Sequence, residues 1–347
     1  MRDRPRQAAE VVLAMLAICC CGPSTSEAQA ISPGNAARLR RVISLPLPGS
    51  VVGFASFSPD GRTLYAGDRT GELHAWDVSS WSRRTLIPPF VTQQAADSAR
   101  LPFYPTAALS PDGRTIVSAT SLAGDVVVRA VDGSVASTFR YGSPVYSVEI
   151  SPDGRLVAVG GLNGNVVVRE LATGTQLANL VCDRQYVSVL AFSPDGRTLV
   201  AGYERPGNLM KAWSTSTWRE TATFDVIAER VDFHDAAFTP DGRYLVVARV
   251  GGSELPLAVE MLDASTYQVV RRIGDQVSAF QLAFSPDGLL LASSWAGVDL
   301  WEAATGNVVR SAIGTGDHTL SVAFSRDGTM LAFGVEGEGV QVWGLPQ

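Results

Sequence analysis

His74, His234 and His318 are the only imidazoles in the 347-residue chain, and imidazole is the side chain best suited to proton transfer or metal binding near neutral pH. Each chemistry has a spacing requirement. Zinc-dependent hydrolysis places two histidines four apart on one helical face, around a glutamate. None of the three is so placed: His74 stands two residues before Trp76, His234 lies in an innermost strand, and His318 sits in a turn. A serine hydrolase would need a Gly-x-Ser-x-Gly elbow, and a dinucleotide site a Gly-x-Gly-x-x-Gly turn between strand and helix; neither occurs. No catalytic residue, metal ligand or cofactor is therefore expected. The recurrent aspartates Asp60, Asp112, Asp153, Asp195, Asp241, Asp287 and Asp327 resemble calcium ligands only in type. Each stands alone, without the further oxygen donors that a calcium loop supplies at fixed offsets.

What those aspartates share is a turn. It reads Ser-Pro-Asp-Gly from Ser58, Ser110, Ser151, Ser193 and Ser285, Thr-Pro-Asp-Gly from Thr239 and Ser-Arg-Asp-Gly from Ser325. Proline presets the first central position of a type I turn, aspartate bonds locally, and glycine takes the left-handed position that closes a hairpin. The intervals between successive aspartates are 52, 41, 42, 46, 46 and 40 residues, the length of a four-stranded propeller blade. Apolar strands flank each turn, as in "VVGFASF" before it and "RTLYAG" after it. A second hairpin follows, and a third strand ends near Trp76, Trp213, Trp301 or Trp343, with Arg129 and Arg169 in the tryptophan's place in two units. After the last turn only two strands remain, whereas "RLRRVISLPLP" (38–48) precedes the first unit. The expected fold is all-β: a seven-bladed propeller of four-stranded antiparallel blades, its ring closed by that N-terminal strand, since closure without it leaves a bare edge.

The units "FSPDGRTLYAGDRTGELHAWD", "FSPDGLLLASSWAGVDLWE" and "FSRDGTMLAFGVEGEGVQVW" resemble those of WD-repeat propellers, and the resemblance runs over residues 37–347. It implies a rigid, non-catalytic platform for protein partners. It also implies, in the family, a Gly-His pair joined to a Ser, an Asp and the third-strand Trp by hydrogen bonds. Here that slot reads Gly274-Asp275 and Gly314-Thr315, so apolar packing is expected to outweigh the network. A looser relative, a bacterial propeller of surface-antigen or lactonase type, fits the same repeats.

Composition narrows the partners. The chain is 46% hydrophobic and 18% charged with a net charge of −6, which is globular and offers no basic field for nucleic acid. Function is then expected where the units differ, on the loops. The face carrying the entry to each innermost strand holds the insert 87–105, "YGSP" from Tyr141, "CDRQY" from Cys182, "YERPGN" from Tyr203, "RVGGSELP" from Arg249, and Trp295. Tyr, Trp and Arg are the types that anchor protein contacts, so Arg184, Tyr186, Tyr203, Arg205 and Trp295 are the expected partner-binding residues. A propeller enzyme working through a central funnel would instead draw on Asp183, Asp275 and Asp317 at the inner-strand starts. A structural part of an envelope assembly is the third reading.

The N-terminus reads as an address. Arg2, Arg4 and Arg6 precede the apolar run Val11–Cys21, and "AQA" (28–30) is a small-residue cleavage pattern. The expected organisation is a signal peptide over 1–30 and one propeller domain over 31–347, in the periplasm or outside the cell, monomeric, with no membrane-spanning segment after cleavage. Lipidation is disfavoured because Ile18 precedes the first of Cys19, Cys20 and Cys21. Removal of that segment leaves Cys182 alone, so no internal disulfide is expected.

Overall fold

The computed structural model describes residues 28–47, 52–68, 72–87, 106–119, 124–181, 186–204, 209–225, 231–251, 258–274, 279–314 and 318–346. These form seven antiparallel sheets of four strands each, a seven-bladed β-propeller. The innermost strands are Val52–Phe57, Thr106–Leu109, Val145–Ile150, Tyr186–Phe192, Val231–Phe238, Gln281–Phe284 and Thr319–Phe324. Each touches the next around the ring, and the seventh returns to the first.

The turn repeats are hydrogen-bonded alike in every blade. In the first, Ser58 Oγ donates to Asp60 Oδ1 at 2.5 Å and accepts from the Thr63 N–H at 2.9 Å, while Asp60 Oδ1 also accepts from the Arg62 N–H at 3.0 Å. The same three bonds recur at Ser110, Ser151, Ser193, Thr239, Ser285 and Ser325. The hydroxyl is buried each time, from 0% exposed at Ser325 to 7% at Ser193. The glycine lies at φ between 69° and 71° in all seven, a conformation that a Cβ disfavours. At Asp60, Asp112, Asp195 and Asp241 the hydroxyl's bond, the largest cause, holds the carboxyl below its ordinary range.

Between neighbouring sheets lie seven apolar clusters, one at each interface. Leu199, Ala201 and Tyr203 of the fourth blade meet Ala158, Val166 and Val168 of the third. Val200, Met210 and Ala212 meet Phe233, Leu245 and Val247 of the fifth. Each sheet is thus buried on both faces, as the apolar runs require.

Packing dominates the third-strand slots, with a remnant of the polar network. Trp301 Nε1 donates to Ser293 Oγ at 2.9 Å. Arg169, in a tryptophan's place, lies 4.5 Å over the Phe139 ring and donates to the Gly174 carbonyl. In the fifth blade Glu260, fully buried, accepts from Arg249 at 3.1 Å and from Arg272 at 3.0 Å.

Residues Arg40–Pro46 supply the fourth strand of the seventh sheet, antiparallel to Gly339–Gly344, with Ser44 opposite Gln341 and Leu45 opposite Val340. The strand is shorter than the 38–48 read from sequence, because a 3₁₀ turn at Ala36–Arg38 precedes it. Upstream, Ile31, Ala36 and Leu39 enter the cluster between blades six and seven. Arg310 Nη1 donates to the carbonyls of Ala36, Ala37 and Leu39 at 3.0, 3.1 and 2.9 Å and lies 5.5 Å from the Trp343 ring.

Deleting 31–46 is expected to remove several kcal/mol of stability through Ile31, Leu39 and Leu45, and to expose an edge that self-associates. Calorimetry and light scattering check this; an unchanged melting temperature with a monomeric scattering mass speaks against it. Ser193→Ala leaves Asp195 and the Thr198 N–H without their hydroxyl and should cost about 1–2 kcal/mol in urea unfolding.

Candidate functional site

Five innermost strands carry a register shift at one fixed offset, five residues before the turn's Ser or Thr: at Gly53, Tyr146, Ser188, His234 and Leu320. A bulge at that place turns one extra side chain out of the ladder. Phe280 occupies the same offset in the sixth blade, just before its strand begins.

Three of these blades build an aromatic shelf at the mouth of the central channel. His234 stacks on Phe280, with centroids 5.1 Å apart and planes 5° from parallel. Phe280 stacks on Trp295 at 4.4 Å and 21°. His318 meets Phe280 and Trp295 edge-on at 6.0 and 6.2 Å, and its Nδ1 lies 3.2 Å from Glu336 Oε2. The shelf joins blades five, six and seven. Two histidines more than eighty positions apart become neighbours because the sixth blade brings two rings between them. Across blades three and four, Tyr146 and Tyr186 form an edge-to-face pair at 5.6 Å.

One residue past the bulge, side chains tie blade to blade. Asp235 Oδ2 accepts from the Leu282 N–H at 2.7 Å, and its Oδ1 accepts from the Ala236 N–H at 2.9 Å. Gln281 Oε1 accepts from the Val322 N–H at 2.8 Å, and Ser321 Oγ donates to the Val52 carbonyl at 3.1 Å. Asp235, Gln281 and Ser321 share one offset, four before the turn. Deeper still, Glu149 is half-buried and has no hydrogen-bonded or ionic partner among the described residues. Burial first, and the charge of Asp235 second, push its carboxyl up to about 8. Burial pushes Asp235 up to about 7 against the pull of its two N–H donors.

Of the expected partner-binding residues, Tyr186 and Trp295 stand at the mouth, half-buried, in the two aromatic groups. Tyr203 does not: it is wholly buried against Trp213 at 6.3 Å, in the interface between blades three and four. Arg184 and Arg205 lie outside the described residues, as do Asp183, Asp275, Asp317 and positions 88–105. Arg249, assigned to a loop, is 1% exposed on the strand Tyr244–Gly251 and belongs to the Glu260 pair. Tyr141 is also structural: its hydroxyl donates to the Asn165 carbonyl at 2.6 Å and bonds the Asn163 side chain. Phe280, Glu149 and Asp235 were not singled out from sequence. The signal that could have found them is the repeated turn used as a ruler, since they stand five, two and four residues before its Ser or Thr.

The turn face is less uniform than its sequence. A cleft of about 640 Å³ lies between blades four and five, lined by Pro194, Asp195, Phe238, Pro240 and Tyr267. Another of about 440 Å³ lies between blades five and six, beside Tyr244, Met261 and Arg271.

The WD domain, G-beta repeat family model matches residues 133–169, which run from the outer strand of the second sheet to the third strand of the third. That stagger is one blade's length of chain. Protein groucho of Drosophila melanogaster is 29% identical over 154 residues, covering 42% of this chain and 19% of that protein. The match thus spans about a fifth of that relative's length. Together with seven identically bonded turns, these likenesses support a WD-repeat propeller. No helix among the described residues is long and apolar enough to cross a membrane.

The raised carboxyl of Glu149 sets a pH dependence. The folded chain keeps a proton there that the unfolded chain has released, so stability falls as pH rises from about 4.5 toward 8. Glu149→Gln should raise the melting temperature at pH 8 and leave it unchanged near pH 4.5. Equal melting curves for the two proteins at pH 8 would refute this.

Proposed function

We propose that this chain is a non-catalytic interaction platform, exported from the cytoplasm, that docks a protein or peptide at the mouth of its channel. The observation that carries the reading is the aromatic shelf His234–Phe280–Trp295–His318, with the Tyr146–Tyr186 pair across from it. Large rings held at the strand ends of a closed ring lose little further freedom on binding, so a few of them can carry most of an affinity. Asp235, the acid nearest the shelf in sequence, already has each carboxylate oxygen on a backbone N–H, which suits a brace more than a proton carrier. Tyr186 and Trp295 are the anchors of this reading, with Arg184 two residues before Tyr186 and Arg205 two residues after Tyr203 in sequence.

Replacing Tyr186 and Trp295 by alanine is expected to weaken capture of the native partner roughly ten-fold or more while the protein stays folded, since a hot-spot truncation costs about 1–2 kcal/mol or above. Quantitative pull-down with folded variants checks it. Capture that survives this pair but is lost on changing Arg155 and Arg197, beside the turns, moves the docking surface to the opposite face and its clefts.

Export rests on the Arg-rich start, the apolar run Val11–Cys21 and the "AQA" tripeptide. The fold is compatible with cleavage after Ala30. Ile31 is 1% exposed and its backbone nitrogen donates to the Gly328 carbonyl at 2.8 Å, a bond a new amino terminus can keep. The Asn35 amide would give up its bond to the Ala30 carbonyl. Mass spectrometry of the protein from its own cells should find Ile31 at the N-terminus; a chain beginning at Met1 excludes the proposal.

A further inference from the structure

The outer edge of a β-sheet presents unpaired N–H and C=O groups, and proteins guard such edges with charge or proline. Each of the seven blades ends in one, its outermost strand. Arg40–Pro46, Arg83–Ile87, Val135–Arg140, Val269–Ile273 and Val308–Ile313 each contain arginine, and Glu220–Asp225 begins and ends on an acid. The third blade differs: its outermost strand, Gln176–Val181, reads "QLANLV", with neither charge nor proline. One edge of this strand pairs with Asn165–Glu170, and the other ends the sheet. Its side chains alternate between two faces. Ala178 and Leu180 pack into the interface with blade four. Leu177, Asn179 and Val181 point the other way and are exposed, Leu177 at 44% and Val181 at 66%, the highest value for a large apolar side chain among the described residues.

We propose that Gln176–Val181 is a docking edge for a second copy of this chain, whose own Gln176–Val181 adds antiparallel to it with Asn179 opposite Asn179. The sequence is complementary to itself about that residue, because an exposed apolar side chain stands two positions to either side. With the pairing centred there, Leu177 meets Val181 of the second copy on one face, and Ala178 meets its Leu180 on the other. Moving the centre to Ala178 or Leu180 sets Asn179 against Leu177 or Val181, so the apolar pattern selects one register. No charge on either strand opposes the approach. Six residues joined edge to edge bury less than a standard interface, so the dimer forms in the micromolar range and a dilute solution holds monomer. The edge lies on the rim of the ring and leaves the channel mouth free.

Sedimentation of the intact chain over about a hundred-fold range of concentration should show monomer passing to a species of twice its mass. Asn179→Lys sets two like charges opposite each other across the two-fold axis and should weaken the dimer about ten-fold or more. Because Asn179 is exposed, the melting temperature of that variant at low concentration should stay unchanged. Thr138→Lys, an equally exposed change on the neighbouring outer strand, should leave the association as it is. The register is read by crosslinking. Under mild oxidation Asn179→Cys should yield a linked dimer above the background of the unsubstituted chain, and mass spectrometry should find position 179 joined to position 179. Leu177→Cys should link only when mixed with Val181→Cys. Changing Tyr186 and Trp295 to alanine at the mouth should leave dimerisation intact. A chain that stays monomeric at every concentration, a dimer indifferent to Asn179→Lys, or Leu177→Cys linking to itself as readily as Asn179→Cys would overturn the assignment.

Discussion

Every sheet in this molecule is apolar on both faces, and no sheet can cover itself. That constraint explains most of the architecture. Seven clusters of buried side chains sit between sheets and none sits within one, so each blade is held only by its two neighbours. A row of such sheets would leave two naked faces at its ends. The ring removes both, at the cost of bringing residue 45 against residue 340. The repeated turns serve the same end. By bonding their own polar groups internally, they let each hairpin enter the apolar ring without an unmatched donor. Hydroxyl, carboxylate and glycine act as one unit, which is why the four-residue turn returns nearly unchanged.

The blade count, the strand order and the tryptophan slots were legible in the sequence because they are local. A turn and its flanking strands span about twenty residues, and their signals lie side by side. The errors came where a loop was read by composition and not by alternation. Leu199, Ala201 and Tyr203 are spaced by two and point into one interface. Leu245, Val247 and Arg249 follow the same rule, so a tyrosine and an arginine that looked like loop anchors continue a core face. Alternation extended one residue further would have placed both correctly.

The aromatic shelf was hidden for a different reason. Its members lie at 234, 280, 295 and 318, and no local pattern links them. They become neighbours only through ring geometry, which brings the mouth ends of blades five, six and seven together. Once the turn is used as a ruler, position minus five gives the side chain at the mouth and position minus four the brace to the next blade. His234, set aside for want of metal spacing, is then one ring of the shelf at minus five, and His318, at minus seven, is another. Trp295 was found from residue type alone, and Tyr186 likewise, though neither reason foretold that one would stack on Phe280 and the other meet Tyr146.

The seam between Arg40–Pro46 and Gly339–Gly344 has a mechanical consequence. Arg40 lies opposite Gly344, so the two chain segments leave the seventh sheet at the same end of the same strand pair. Tension applied between them would load the ladder as a zipper, one pair at a time, and not in parallel shear. The first resistance would come from the anchorage upstream of the ladder, where Arg310 holds three carbonyls and Ile31 and Leu39 are sunk between blades. A pull on these two segments is therefore met by a single strand pair, whereas the rest of the ring is held at seven interfaces.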